Sequence, residues 1–190
     1  MTKDSPVETF FQEEVGRAFR ERGLLAGALT ASYVAQLLAR YAAEPLDDTP
    51  LAFKMKEALE TSGAERRHCL REIGDRSLFV SGFFAESLGR RLVDVDYYIE
   101  MGGAAYRALA RTERAYAAVG ETFVGVFHEL SERFENVVDA LILISHRTSL
   151  QPKHTDLVRL VERWQRTGSR FTARRLAAAG VVLPTDKRAQ

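Results

Sequence analysis

Apolar side chains recur along this chain at three- and four-residue intervals, the period of α-helices that turn one face to a core. Ser5-Pro6-Val7-Glu8 combines an N-cap, a first-turn proline and the N3 carboxylate of a capping box. It predicts a helix presenting Val7, Phe10, Phe11, Val15 and Phe19 on one stripe and stopping at Gly23. A second helix, Thr30 to Ala43, shows Val34, Leu37, Leu38 and Tyr41 on one face and ends before Pro45. Thr49 is the expected cap of a third, which buries Leu51, Met55 and Leu59 and closes at Ser62-Gly63.

From Glu65 a helix runs through Leu70 and Ile73, after which Ser77 to Phe84 is almost continuously apolar. No strand-like run stands nearby to pair with it, so this stretch reads as helical or irregular. Asp94 would cap a helix carrying Tyr97, Tyr98, Met101, Ala105 and Tyr106. Helical spacing then persists from Thr112 to His146, as one long helix or two joined near Asn136. Thr155 would cap a helix with Leu157, Leu160, Val161 and Trp164, and a short last helix follows Gly168-Ser169 and ends at Gly180. No segment alternates as a half-buried strand does, and no internal repeat is present. The expected fold is all-α, a bundle of about seven to eight helices. Residues 1–152 form its core, and 153–190 form a basic C-terminal helical pair packed on that core as part of one domain.

Composition agrees with a globular chain: 190 residues, 46% apolar and 28% charged, enough to bury about 70% of the extended surface without staples. The single cysteine, Cys69, excludes an internal disulfide and any multi-cysteine metal site within one chain, and reads as a buried structural thiol. Glu8, Glu13 and Glu14 interrupt the region where a signal peptide would be apolar, so the cytoplasm is the expected compartment. Gly23 to Ala39 carries no charged side chain. It is at the short limit for a membrane span and holds Thr30, Ser32 and Gln36, while Val34, Leu37, Leu38 and Tyr41 recur at i, i+3, i+4 and i+7, as in a helix packed on protein.

Candidate chemistry is sparse. Glu65-Arg66-Arg67-His68 has the Glu-x-x-His spacing of di-iron bundles, which need two such motifs and two further glutamates. There is one copy, and Glu129-x-x-Glu132 substitutes poorly, so Glu65 and His68 read chiefly as solvated surface residues. A haem on His68, His128 or His146 stays open because one histidine suffices. No cofactor is expected on any positive signal. No nucleophile elbow, phosphate loop or dinucleotide fingerprint is present, and enzyme activity has no positive support. Gly102, Gly103, Ala104 and Ala105 suit a close approach of two helices.

Between Gly74 and Tyr98, Asp75, Ser81, Asp94 and Asp96 are interleaved with Phe79, Phe83, Phe84, Tyr97 and Tyr98. These residues are either core aromatics with aspartates serving as caps or arginine partners, or a pocket in which tyrosine hydroxyls and carboxylates converge on a polar ligand. Gly-Asp-x-x-Leu-Phe at 74–79, Ser-Gly-Phe-Phe at 81–84 and Asp-Tyr-Tyr at 96–98 lead into a glycine-containing helix. In this the stretch from about 70 to 110 resembles a family of uncharacterised bacterial all-helical proteins, with a fainter echo at Trp164 to Gly168. The resemblance implies a helical fold and brings no catalytic residue with it.

Charge is uneven. Residues 153–190 hold nine Lys or Arg against three Asp or Glu, a net of +6, and residues 1–152 a net of −5. Arg170, Arg174 and Arg175 on the last helix could meet nucleic-acid phosphates, or pair with the acidic remainder of the chain or of a second subunit. The second is favoured, since Leu176 to Ala179 are small or apolar where a recognition helix offers polar side chains. Three functions follow, in order: a non-catalytic helical interaction or regulatory module, a DNA-binding regulator, and a ligand-, metal- or haem-binding bundle. A homo-oligomer is expected from the long apolar face between Val119 and Ile144, with another protein partner as the alternative and no membrane partner.

Overall fold

The computed structural model describes residues 6–43, 49–85, 94–115, 121–148, 164–165 and 167–178. They form eight principal helices and no strand: α1 (Pro6–Glu21), α2 (Ala28–Ala43), α3 (Leu51–Glu60), α4 (Gly63–Phe83), α5 (Val95–Ala115), α6 (Glu121–Glu132), α7 (Phe134–Thr148) and α8 (Arg170–Ala178). Helix α4 is central. It packs on α5, α7 and α3, while α1 and α2 pair and lean on α7 and α6.

The position of α4 explains why its sequence lost amphipathic periodicity. From Ile73 to Gly82 nearly every residue is buried, whichever face it is on, as befits a helix surrounded by others. The run 77–84 is therefore the second half of one continuous helix. Its small residues set the packing distance. A Cβ on Gly74 would lie 2.6 Å from Cδ1 of Tyr106, and one on Gly102 would lie 2.6 Å from Cβ of Ser77 and 2.7 Å from Cε2 of Phe134. The Gly102 segment thus does bring α5 onto α4.

Several boundaries and faces differ from the expectation. Gly23 ends α1 with positive φ in a Schellman arrangement: Gly23 N–H donates to Arg20 O at 3.1 Å and Leu24 N–H to Phe19 O at 2.8 Å. Helix α1 buries Phe11, Val15, Ala18 and Phe19, but Val7 and Phe10 lie outside that stripe and are exposed. Pro50 rather than Thr49 takes the N-cap position of α3, and Leu59 is exposed while Ala58 is buried. Gly63 opens α4 instead of closing α3. Thr112 belongs to α5, and the later break falls at Arg133 instead of Asn136. The backbone ladder continues through that bend, with Arg133 N–H on Glu129 O and Val137 N–H on Arg133 O, both at 3.0 Å.

The apolar face that suggested self-association is used within one chain: Val126, Phe127, Leu130, Phe134, Val137, Val138, Leu141 and Ile144 are all buried. That surplus is gone; Phe123 alone of the named face is markedly exposed among the described residues. Val119, the helix expected after Thr155 up to its Trp164 end, and the last residues up to Gly180 lie outside the described residues.

Candidate functional site

The most unusual chemistry lies where α2, α4 and α5 meet. Asp75, on α4, is 1% exposed. Its Oδ1 accepts hydrogen bonds from the hydroxyls of Tyr33 at 2.5 Å and Tyr106 at 2.7 Å, and its Oδ2 accepts one from Arg40 Nη2 at 2.6 Å. Arg71, one turn before Asp75, donates Nε–H to Tyr33 Oη at 3.0 Å, with that nitrogen 3.7 Å from Asp75 Oδ2. Helical spacing produces this convergence. Tyr33, Leu37 and Arg40 share one face of α2 at i, i+4 and i+7, and Arg71 and Asp75 are i, i+4 on α4. Gly74 leaves room for the Tyr106 ring beside Asp75.

Burial of an isolated carboxylate would be costly, and three donors, one of them a guanidinium, supply the compensation. The same centre shifts its neighbours. Burial, then the Asp75 charge, pushes the Tyr33 and Tyr106 hydroxyls well above the ordinary tyrosine range. Burial together with Asp75 holds Tyr41 up to about 12. Burial opposes the charge on Arg40, but its bond to Asp75 and that carboxylate's charge outweigh it and the net shift is upward. Arg71 moves the same way, through Tyr33 and Asp75.

Above Asp75 the surface opens into a recess of about 170 Å³ lined by Tyr33, Gln36, Leu37, Arg40, Arg71 and Asp75. The side chains of Arg40 and Arg71 are 41% and 47% exposed, so the two guanidiniums form its rim while the carboxylate is its floor. Arg71 also lies over the Tyr33 ring, 5.2 Å from its centroid, and Arg40 over that of Tyr41 at 5.0 Å.

Of the pocket residues expected from sequence, Asp75 alone belongs to this recess. The structure does not bring Asp75, Ser81, Asp94, Asp96, Tyr97 and Tyr98 together. Ser81 is buried and turns back on its own helix, donating to Ser77 O at 2.7 Å. Asp94 stands just before α5 and accepts from Val95 N–H at 2.6 Å. Asp96 accepts from Ser169 Oγ and from Arg170 N–H, both at 3.1 Å, and so fastens the start of α8 to α5. Tyr97 and Tyr98 pack edge to face, half-buried.

Glu65 and His68 are exposed on α4, His68 Nε2 lying 3.9 Å from Glu72. No cluster of three or more His, Cys, Asp or Glu side chains is placed to hold a metal among the described residues. Cys69 is buried, and burial with the charges of nearby acidic residues pushes its thiol pKa up. On α8, Arg170 lies 3.8 Å from Glu100, and Arg174 pairs with Glu135. The side chain of Arg175 lies outside the description.

Sequence reasoning missed Tyr33, Arg40, Arg71 and Tyr106. The available signal was a tyrosine and an arginine two helical turns apart on α2, opposite an Arg-x-x-x-Asp pair. It also missed Glu129, which receives Gly27 N–H at 3.0 Å and Thr30 Oγ at 2.5 Å and so caps α2 from another helix. Among the described residues no helix is long and apolar enough to cross a membrane. Comparison with protein families, curated proteins and solved structures finds no match to this chain.

Proposed function

We propose that this chain is a non-catalytic helical module that regulates by binding, with the recess of Tyr33, Gln36, Arg40 and Arg71 as its binding site. The observation that carries this reading is the pair of half-exposed guanidiniums at the rim of an open recess whose buried carboxylate floor is already satisfied. The same arrangement argues against acid–base catalysis. The tyrosines and guanidiniums hold their protons, and three donors occupy the oxygens of Asp75. Apolar side chains such as Phe10 of α1, Phe53 of α3 and Phe123 of α6 are exposed among the described residues and offer contact area to a second copy or another protein.

DNA binding is the second reading, and the pairing of Arg170 and Arg174 with Glu100 and Glu135 counts against it. Two measurements test the proposal. In heteronuclear NMR of the isotope-labelled chain, propionate, propionamide and propylamine are each titrated while the Gln36 side-chain amide and the Nε–H signals of Arg40 and Arg71 are followed. Saturable shifts with any one probe support a binding recess, and none with all three overturns it. Salt-sensitive, submicromolar binding of duplex DNA, lost in a folded Arg170→Ala/Arg174→Ala/Arg175→Ala protein, would favour the second reading instead.

A further inference from the structure

We infer that the recess between α2 and α4 is a site for a small monoanion, a short-chain carboxylate, held between the guanidiniums of Arg40 and Arg71. This rests on the binding reading above and names its ligand class.

Charge sets the sign. The recess holds two guanidiniums and one carboxylate, hence a net charge of +1. Asp75 offsets one of the two positive charges but is 1% exposed and faces its own three donors. Glu72, next to Arg71 in sequence, is engaged by Lys54 at 3.0 Å. The charge left at the rim is therefore positive, and a monoanion neutralises it where a dianion would leave an excess.

Hydrogen-bonding capacity sets the shape. A guanidinium carries five N–H donors in a planar fork. Arg40 places Nη2 on Asp75 and Arg71 places Nε on Tyr33. Arg40 also makes a side-chain hydrogen bond with Tyr41, and five donors on each guanidinium exceed these contacts. Arg40 is held by the Asp75 carboxylate and by Tyr41 and Arg71 by the Tyr33 hydroxyl and ring, which leaves further donors on each fork for a ligand. Such a preoriented fork matches the two oxygens of a carboxylate. Gln36 adds an amide at the rim. Leu37, buried in the wall, supplies an apolar side, and about 170 Å³ is room for a group about the size of benzene. A carboxylate with a short aliphatic tail satisfies each of these features.

The wild-type titration described above decides the class without any variant. Propionate is expected to shift the Arg40, Arg71 and Gln36 side-chain signals saturably, with propionamide and propylamine at least about tenfold weaker, the cost of losing one charge-assisted pair. Inorganic phosphate above its second ionisation should bind more weakly than propionate. Arg71→Gln, which removes a rim charge yet leaves the three donors to Asp75, should weaken propionate by about tenfold or more, and Arg71→Lys by less. Propionamide or propylamine binding as tightly as propionate would overturn the anion class while leaving a binding recess. An unchanged propionate affinity in folded Arg71→Gln would also overturn the proposal, as would silence of all three probes, which removes the binding reading with it.

Discussion

Gly74→Ala sets two effects of known size against each other at one position. Inside a helix, alanine is favoured over glycine by about 1 kcal/mol. In α4, however, the new Cβ would stand 2.6 Å from Cδ1 and 2.9 Å from Cζ of Tyr106, well inside van der Waals contact. That ring has nowhere to go. It is fully buried, stacks on Phe127 with centroids 5.8 Å apart, lies 6.0 Å from Phe134, and holds Asp75 through its hydroxyl. Relief requires either overpacking against those aromatics, about 1–3 kcal/mol, or loosening a hydrogen bond to a buried charge, about 1.5–3 kcal/mol. The steric side outweighs propensity, and a net loss of up to about 2 kcal/mol is expected. Equilibrium urea denaturation followed by circular dichroism measures it, as a lower midpoint at unchanged slope. Gly125→Ala is the control: it is exposed in α6, its Cβ would meet nothing within 4 Å, and it should gain up to about 1 kcal/mol. Equal midpoint shifts in the two variants would show that Tyr106 is not locked against α4.

Tyr106→Phe removes one of the two donors on Asp75 Oδ1 and should cost about 1.5–3 kcal/mol by the same denaturation measurement. Because the folded-state pKa values of Tyr33 and Tyr106 are raised, by burial first and by Asp75 second, their contribution is complete below the unfolded value near 10 and is lost as pH rises above it. The slope is about 1.4 kcal/mol per pH unit for each tyrosine; a stability flat from about pH 9 to 11 would contradict the buried centre. Glu129→Ala should cost about 1–2 kcal/mol, since it uncaps α2. Asp96→Ala should destabilise α8 more than Arg170→Ala with Arg174→Ala, whose ion pairs are exposed and worth at most about 1 kcal/mol each; limited proteolysis near the C-terminus ranks them.

How much of this was legible from sequence depended on whether the information was local. Helix class, the stop at Gly23 and the burial of Cys69 follow from period, capping and composition. The join at Arg133 was not visible, because the backbone hydrogen bonds run through it and no proline or glycine marks it. Val7, Phe10 and Leu59 were misplaced for another reason: an apolar residue at helical spacing reports a face, not whether a neighbour covers it. The candidate site was hardest. Asp75 stood out among aromatics, but its partners come from positions 31 to 42 residues away, and Tyr33 and Arg40 lay in and beside a run that drew notice only for lacking charge. Aspartates close to Asp75 in sequence, Asp94 and Asp96, turned out to serve helix ends instead.

Stability and occupancy of the recess are joined through Asp75. Its two oxygens fasten α2 through Tyr33 and Arg40 and α5 through Tyr106, all onto α4. A ligand that drew Arg40 away would strip a buried carboxylate of its charged partner, a loss of several kcal/mol that a small anion could hardly offset. The guanidinium fork avoids that conflict, since it can keep one N–H on Asp75 while presenting others outward. Occupancy therefore adds bonds to the junction of α2 and α4 without removing any. A ligand bound only by the folded state stabilises it by RT ln(1 + [L]/Kd), and here that gain falls on the contact between these two helices. Propionate binding at Arg40 and Arg71 would accordingly raise the urea midpoint of the wild-type chain and leave that of Arg71→Gln less changed.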